Sequence, residues 1–190
     1  TSRTRRVNPS ATTHTLNNTT ESAEHPHPWG GAGITPCRSI HDRKVAHGGD
    51  PSGLGRWTSL RLRGKRDHTL TLISAYRPCH STNGTSTVWS QHYRHFAQFC
   101  DIASACPDPL QFFDRDLLSA IDVAINQGDQ IILGIDQNND VRAGHLTQGL
   151  RQRGLRNPIF ELHGDRSSPA THNRNTSRTP IDAFWTTPGV

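Results

Sequence analysis

The apolar run Ile131-Ile132-Leu133-Gly134-Ile135 constrains this chain more than any other segment. It lies between Gly128-Asp129 and Asp136-Gln137-Asn138-Asn139-Asp140. A short apolar run between turn residues reads as a strand buried on both faces of a sheet. Such a strand needs a layered domain around it, because neither face tolerates water. It also delivers the residues after it to the rim of the sheet. Here these are Asp136 and Asn138, which, two residues apart, point to the same side of an extended chain. A carboxylate there can hold a hard cation or a proton. The amide can donate to an anionic oxygen or accept from a water. The same pair also suits a plain turn.

The neighbouring segments supply the layers. Arg56 to Arg63 predicts a strand with Leu60 and Leu62 on one face and Arg61 and Arg63 on the other. Gly64-Lys65-Arg66-Asp67 makes a turn, and Thr69 to Tyr76 returns as the second arm of an antiparallel hairpin. The hairpin's loop and outer face carry Arg56, Arg61, Arg63, Lys65 and Arg66, either a solvated face or a surface for phosphate backbones. Thr85 to about Ser104 predicts a helix, with Val88, Trp89, Tyr93, Phe96, Phe99, Cys100 and Ala103 at core spacing. A second helix has Asp108 as N-cap, Pro109 as first residue and Gly128 as its stop. Leu110, Phe113, Leu117, Ile121 and Ala124 form its apolar stripe. After the strand over 130–136 come a short polar helix (His145 to Arg153) and an irregular or strand segment (Leu155 to Leu162). A polar loop (Gly164 to Thr179) and a last strand (Pro180 to Thr187) follow. The alternation lacks a strict βαβ rhythm and predicts an α/β layered domain with mixed strands.

With 190 residues the chain supports one domain with a sizeable core. Its hydrophobic content is only 32% and its mean hydropathy −0.69, so part of the length belongs outside that core. Residues 1–28, rich in Thr, Ser, Asn and Pro, read as a poorly ordered polar segment. Residues 29–190 read as the folded part, entered at Trp29-Gly30-Gly31. A net charge of +5 favours polyanionic partners mildly. The four cysteines form no CxxC pair; Cys37 with His41 and His47, or Cys79 with His80, make only a weak zinc module. Cys100 and Cys106, like the others, read as buried free thiols. No apolar run has membrane-span length and no secretory signal is visible, so an intracellular protein without a membrane partner is expected. The chain starts at Thr1 and ends at Val190 just after a strand, which reads as a fragment of a longer protein.

Three motifs stand in order: Ile73-Ser74-Ala75-Tyr76-Arg77-Pro78, Asp136-x-Asn138, and Pro180-Ile181-Asp182-Ala183-Phe184. Asp182 puts a carboxylate inside an apolar strand, where it needs a partner. This order and spacing resemble the endonuclease/exonuclease/phosphatase superfamily, which is DNase I-like. The chain is most similar to the endonuclease type encoded beside reverse transcriptases in retroelements. Gly53-Leu54-Gly55-Arg56-Trp57 before a strand, the long helix between the first two motifs and the Ser177-to-Asp182 approach add to the likeness, over roughly residues 29 to 190.

The resemblance implies an α/β four-layer sandwich of two mixed β-sheets flanked by helices, here incomplete. It implies a phosphodiesterase using Mg²⁺ (or Mn²⁺), with DNA as partner and a reverse transcriptase domain in the same polyprotein. Tyr76 then contacts the scissile phosphate. Asp136 orients or deprotonates the attacking water and is the tentative metal ligand. Asn138 assists it by hydrogen bonding. Asp182 holds a catalytic histidine, so its loss is expected to cost both activity and stability. Thr171 and Ser177 lie in the loop that approaches the phosphate. Inositol-phosphate and sphingomyelin phosphodiesterases share this fold, so the substrate does not follow from the motifs.

Three departures stand out. Ile135 replaces a glycine before Asp136. The metal-binding glutamate is missing, since Glu21 and Glu24 lie in the polar segment and neither is assigned. The terminal Asp-His pair would follow Val190, and none of the twelve histidines takes its place. The fragment alone is therefore expected to be inactive. An inactive nucleic-acid-binding relic of the same fold is the alternative, and a zinc-binding module a more distant one.

Overall fold

Alternating apolar positions build the centre of the molecule. The computed structural model describes residues 14–16 and 31–190, apart from 67, 82–86, 100–107, 165 and 175–176. The strands are β1 (His14–Leu16), β2 (Ala32–Ile34), β3 (Lys44–Gly49), β4 (Trp57–Arg63), β5 (Thr69–Tyr76), β6 (Gln130–Asp136), β7 (His172–Arg174), β8 (Ser177–Thr179) and β9 (Asp182–Thr186). The helices are α1 (Val88–Ala97), α2 (Pro109–Asn126), α3 (His145–Gln152) and α4 (Pro158–His163), with a short 3₁₀ turn at Arg38–Arg43.

Five strands form one mixed sheet in the order β3-β4-β5-β6-β9. Only β5 and β6 run parallel, which requires the crossover that α1 and α2 supply. β1–β2 and β7–β8 are small antiparallel pairs. A central mixed sheet flanked by helices is the expected architecture; the second large sheet of a four-layer sandwich is absent among the described residues. The described helices include none long and apolar enough to cross a membrane.

Leu60 and Leu62 are buried as their spacing requires, on the face of the sheet opposite to Ile73, Ile131, Leu133, Ile135 and Trp185, which form the side covered by the helices. Phe113, Leu117, Leu118 and Ile121 of α2, with Leu146 and Leu150 of α3, pack into the same core. Asp108 caps α2 by accepting from Leu110 N at 2.9 Å, with Pro109 next, and Gly128 ends the turn at φ +76°. On β6 the expectation of two buried faces is corrected. Ile131, Leu133 and Ile135 are fully buried, whereas Ile132 and Gly134 are half-buried and border a cavity of about 620 Å³ with Leu72 and Phe184. On this side of the sheet the β1–β2 pair packs mainly against β4 and β5, and Ile34 of β2 borders the cavity over β6 and β9.

Three further expectations change. The first helix is shorter: Thr87 and Ser90 make a reciprocal capping box, and the helix closes at Ala97. Phe99 therefore leaves the helical register and is 75% exposed rather than core, packing edge-on to His95. Cys100, Ala103 and Cys106 lie outside the described residues, as do residues 1–13 and 17–28. Leu155 to Leu162 contains α4, started by Asn157, which accepts from Ile159 N and Phe160 N, and by Pro158. The polar segment before β9 holds the β7–β8 hairpin instead of a plain loop.

The basic hairpin is also different from its reading as a solvated face. Arg56 is fully buried and forks onto Asp50 (Nε–Oδ2 2.8 Å, Nη2–Oδ1 2.7 Å), with Nη2 also donating to Asp116 at 2.8 Å. Its guanidinium stands 4.7 Å from the Trp57 ring centre and 5.2 Å from that of Phe96. Arg61 pairs with Asp129, whose other contacts are the Thr69 and Thr71 hydroxyls. Both arginines are spent on the fold because their face of the sheet meets α2: Arg56, just before β4, reaches Asp116 on that helix, and Arg61 reaches Asp129 after it. Arg63, Lys65 and Arg66 remain exposed.

Candidate active site at the rim of the central sheet

The register of three strands brings the three sequence motifs together. Tyr76 pairs with Asp136 across the parallel β5–β6 ladder, and Asp136 pairs with Asp182 across the antiparallel β6–β9 ladder. β5 and β6 end at this rim and β9 begins there. The buried side chains pin that register, since a slip of one residue would turn each strand's apolar set to the wrong face. Tyr76 and Asp136 are half-buried, and Asp136 and Asp182 border the cavity on the open side of the sheet.

Asn138 joins them by a turn, not by the extended spacing read from the sequence. β6 stops at Asp136, and Asn138 adopts φ +49°, a left-handed conformation that Asn tolerates better than most residues. Its backbone N donates to Asp136 Oδ1 at 3.1 Å, and its Nδ2 donates to the Arg77 carbonyl at 2.7 Å. Gln137, between them, is buried. Its backbone N donates to Ile181 O at 2.8 Å, and its Nε2 donates to Thr147 Oγ1 at 3.2 Å. The turn is thus tied to β9 and to α3.

Burial pushes the Asp136 carboxyl above the ordinary range, and the charge of Asp182 adds to that; the Asn138 N–H and His172 oppose it. Burial likewise raises the Tyr76 phenol, opposed by its hydrogen bond with the Asn138 side chain and reinforced by Asp136 and Cys79. A carboxylate with raised proton affinity beside a phenol and an oriented amide suits proton transfer and hydrogen bonding to an anion.

Asp182 is not the buried carboxylate expected. Its side chain is exposed, and among the described residues it has no hydrogen bond or ion pair. The strand alternation sends Ala183 and Trp185 inward and Asp182 and Phe184 outward. Thr171 lies beside it: its Oγ1 accepts from Ile181 N at 2.9 Å and Asp182 N at 3.0 Å, which docks the β7–β8 segment onto β9. Ser177 opens β8. The sequence reading placed no histidine at the site, yet His172, next to Thr171, acts electrostatically on Asp136. Its only signal was adjacency to Thr171. Ile135, where the resemblance leads one to expect glycine, points into the core at 4% exposure. Gly134 leaves room for the Phe184 ring, 3.2 Å from where a Cβ would stand.

Asp136 and Asp182 offer hard oxygen donors of the kind Mg²⁺ accepts while keeping several waters. Among the described residues no group of three His, Cys, Asp or Glu side chains could hold a metal ion, and Glu21 and Glu24 lie outside them. Cys37 and Cys79 are free thiols, but they are exposed and not buried as expected.

No family model and no curated protein matches this chain. Solved structures do. The human Nocturnin catalytic domain, a structure with a bound sulfate anion, superposes with a TM-score of 0.53 at 12% identity over 94% of this chain and 61% of its own. The Xenopus laevis APE2 catalytic domain does so with a TM-score of 0.61 at 13% identity over 96% and 68%. An endonuclease/exonuclease/phosphatase family protein from Leptotrichia buccalis C-1013-b matches with a TM-score of 0.47 at 12% identity over 95% and 61%. The chain therefore spans between three-fifths and seven-tenths of the length of these neighbours. At such identities the likeness is one of fold, and that fold is the DNase I-like α/β architecture.

Proposed function

We propose that this chain is part of a Mg²⁺-dependent phosphodiesterase, a DNA endonuclease of a retrotransposon-type element with a reverse transcriptase domain in the same polyprotein. One observation carries the reading. Tyr76, Asp136 and Asp182 come from motifs up to 106 residues apart in numbering (182 − 76) and stand abreast on three neighbouring strands, with Asn138 folded onto them. The DNase I-like fold of the neighbours supports the reaction class, and the net charge of +5 supports a nucleic-acid substrate.

In this mechanism Asp136 orients the attacking water and takes up its proton, a role suited to a carboxyl with raised proton affinity. Tyr76 donates its hydroxyl hydrogen to a phosphate oxygen. Asn138, its amide nitrogen committed to Arg77, offers the amide oxygen to the water. Asp182 raises the basicity of Asp136 and is placed to hold a histidine of the complete protein. Asp136 would hold the metal, which would supply charge stabilisation at the phosphorus.

The test is nicking of supercoiled plasmid by the full-length protein in Mg²⁺. Asp136→Ala is expected to abolish nicking while circular dichroism and melting stay those of a folded protein. Full nicking by that variant would remove Asp136 from the mechanism. DNA binding without any Mg²⁺-dependent nicking by the unmodified protein would instead select the inactive binding relic.

A further inference from the structure

Arg77 follows Tyr76 directly, and its guanidinium turns away from the rim. Nε donates to Asp114 Oδ1 at 2.7 Å and Nη2 to Oδ2 at 3.0 Å, a fork-to-fork pair with side chains only 9% and 3% exposed. Asp114 sits on α2, beside Phe113 and one turn from Leu117 and Leu118, so the helix that fills the core also anchors this pair. His145 also approaches Asp114, but its Nδ1 is 3.6 Å away and its side chain is exposed.

The backbone of the same residue faces the site. Arg77 N donates to the Asp136 carbonyl at 2.9 Å, and Arg77 O accepts from Asn138 Nδ2 at 2.7 Å. Pro78 further confines residue 77 to extended geometry. One residue thus grips the end of β6 and the Asn138 amide, and is itself gripped by α2.

We propose that Arg77, held by Asp114, is the positioning residue for Asn138. The buried pair fixes the carbonyl that commits Nδ2, and so decides which end of the amide is free. Without it the Tyr76 phenol alone would hold the amide, which could then turn and present donor or acceptor interchangeably. Arg77 touches no substrate in this role; it acts through Asn138. The proposal rests on the reading of Asp136 and Asn138 as phosphodiester-cleaving groups. Lysine cannot replace it, because a point charge does not reproduce the fork.

The experiment uses the full-length protein with Arg77→Lys and with the paired replacement Arg77→Met/Asp114→Leu, which strands no buried charge. The first readout is the Asn138 side-chain amide signal in ¹⁵N NMR, identified by its loss in Asn138→Ala. Both variants are expected to shift it and to speed its exchange with water by about tenfold, while the α2 and β6 backbone signals stay in place. The second readout is plasmid nicking, with kcat expected to fall about tenfold and KM to change less than about twofold. The same replacements in the Asn138→Ala protein are expected to cause no further loss, as required of a residue acting through Asn138. An unmoved Asn138 amide signal in either folded variant, or a further loss in the Asn138→Ala protein, would overturn the proposal. Should nicking prove independent of Asp136, the functional reading fails, and the amide signal still decides the role of Arg77.

Discussion

Asp136 and Asp182 are direct partners on the β6–β9 ladder, so two carboxylates share one face at the rim of the sheet. Like charges directly opposite on an antiparallel pair destabilise it. The folded pKa of Asp136 is raised, by burial first and then by Asp182. Its ionised form is therefore a net cost to the fold, absent at low pH and incurred as pH rises through the folded pKa. Asp136→Asn keeps the oxygen that accepts from Asn138 N and removes the charge. It is expected to stabilise the fold at pH 7 by about 0.2–1 kcal/mol while abolishing activity. Thermal melts of the two proteins check this, and a lower Tm for Asp136→Asn would contradict it.

Asp182→Ala gives the complementary result. From sequence alone this change was expected to cost stability in the complete protein, where it would leave the histidine held by Asp182 unpaired. Among the described residues the Asp182 side chain is exposed and makes no hydrogen bond, so in this chain its loss leaves nothing unpaired. In this chain the change is expected to move stability by no more than about 0.5 kcal/mol, as for surface substitutions generally. In the active full-length protein it should still lower the nicking rate. Urea unfolding of the 190-residue chain measures the first part, and a loss of several kcal/mol would restore the buried-partner view.

A pH-dependent loss of stability follows from His92. This α1 side chain is 1% exposed, and neither ring nitrogen has a hydrogen-bond partner among the described residues. Burial, together with the neighbouring Arg56, lowers its pKa to about 3. In the unfolded chain it titrates near pH 6.5. Below that value the unfolded chain takes up a proton that the folded chain refuses, so stability falls as pH falls. Between about pH 6.5 and 4.5 the loss is about 2–3 kcal/mol. Asp50, lowered through its Arg56 pair against the opposing effect of burial, loses its contribution in a more acidic window, below its unfolded value of 3.8. His95 is lowered in the same direction as His92, by partial burial and Arg56. Urea unfolding across this range should show His92→Leu flattening the upper window by close to one proton. An unchanged slope would assign the acid sensitivity elsewhere.

These outcomes depend on residues that the sequence revealed to different degrees. Strand 130–136, the hairpin 57–76 and α2 were legible because each carries a local signal: an apolar run, alternation on both arms, and Asp108-Pro109 at a helix start. The rim residues Tyr76, Asp136 and Asp182 were legible through short motifs at strand ends. Their alignment was not, because register depends on packing across the whole sheet. Arg56 was misread as surface because Asp116, one of its partners, lies 60 residues away. Arg77 was passed over for the same reason, with Asp114 at a separation of 37. Long-range ion pairs leave no local pattern. α4 did leave one in Asn157-Pro158, which was overlooked beside the apolar residues that follow.

The last prediction concerns the helix that steadies the Asn138 turn. Thr147 on α3 accepts from Gln137 Nε2, and α3 packs on α2 where Gly149 meets Leu118. A Cβ on Gly149 would lie 2.5 Å from Leu118 Cδ1, 3.1 Å from Cδ2 and 3.4 Å from Cγ. Two effects compete in Gly149→Ala. Helix propensity favours alanine by about 1 kcal/mol. The overlap costs about 1–3 kcal/mol, because the buried Leu118 must leave its rotamer or push α3 away from α2. The overlap is expected to win, for a net loss of about 1–2 kcal/mol. In a Leu118→Ala background the obstruction is gone and a void remains, so the added methyl fills space and gains propensity together. Gly149→Ala is then expected to reverse sign and stabilise, a change that a double-mutant cycle reads directly. A loss of equal size in both backgrounds would show that the glycine serves something other than the close approach of α3 to α2.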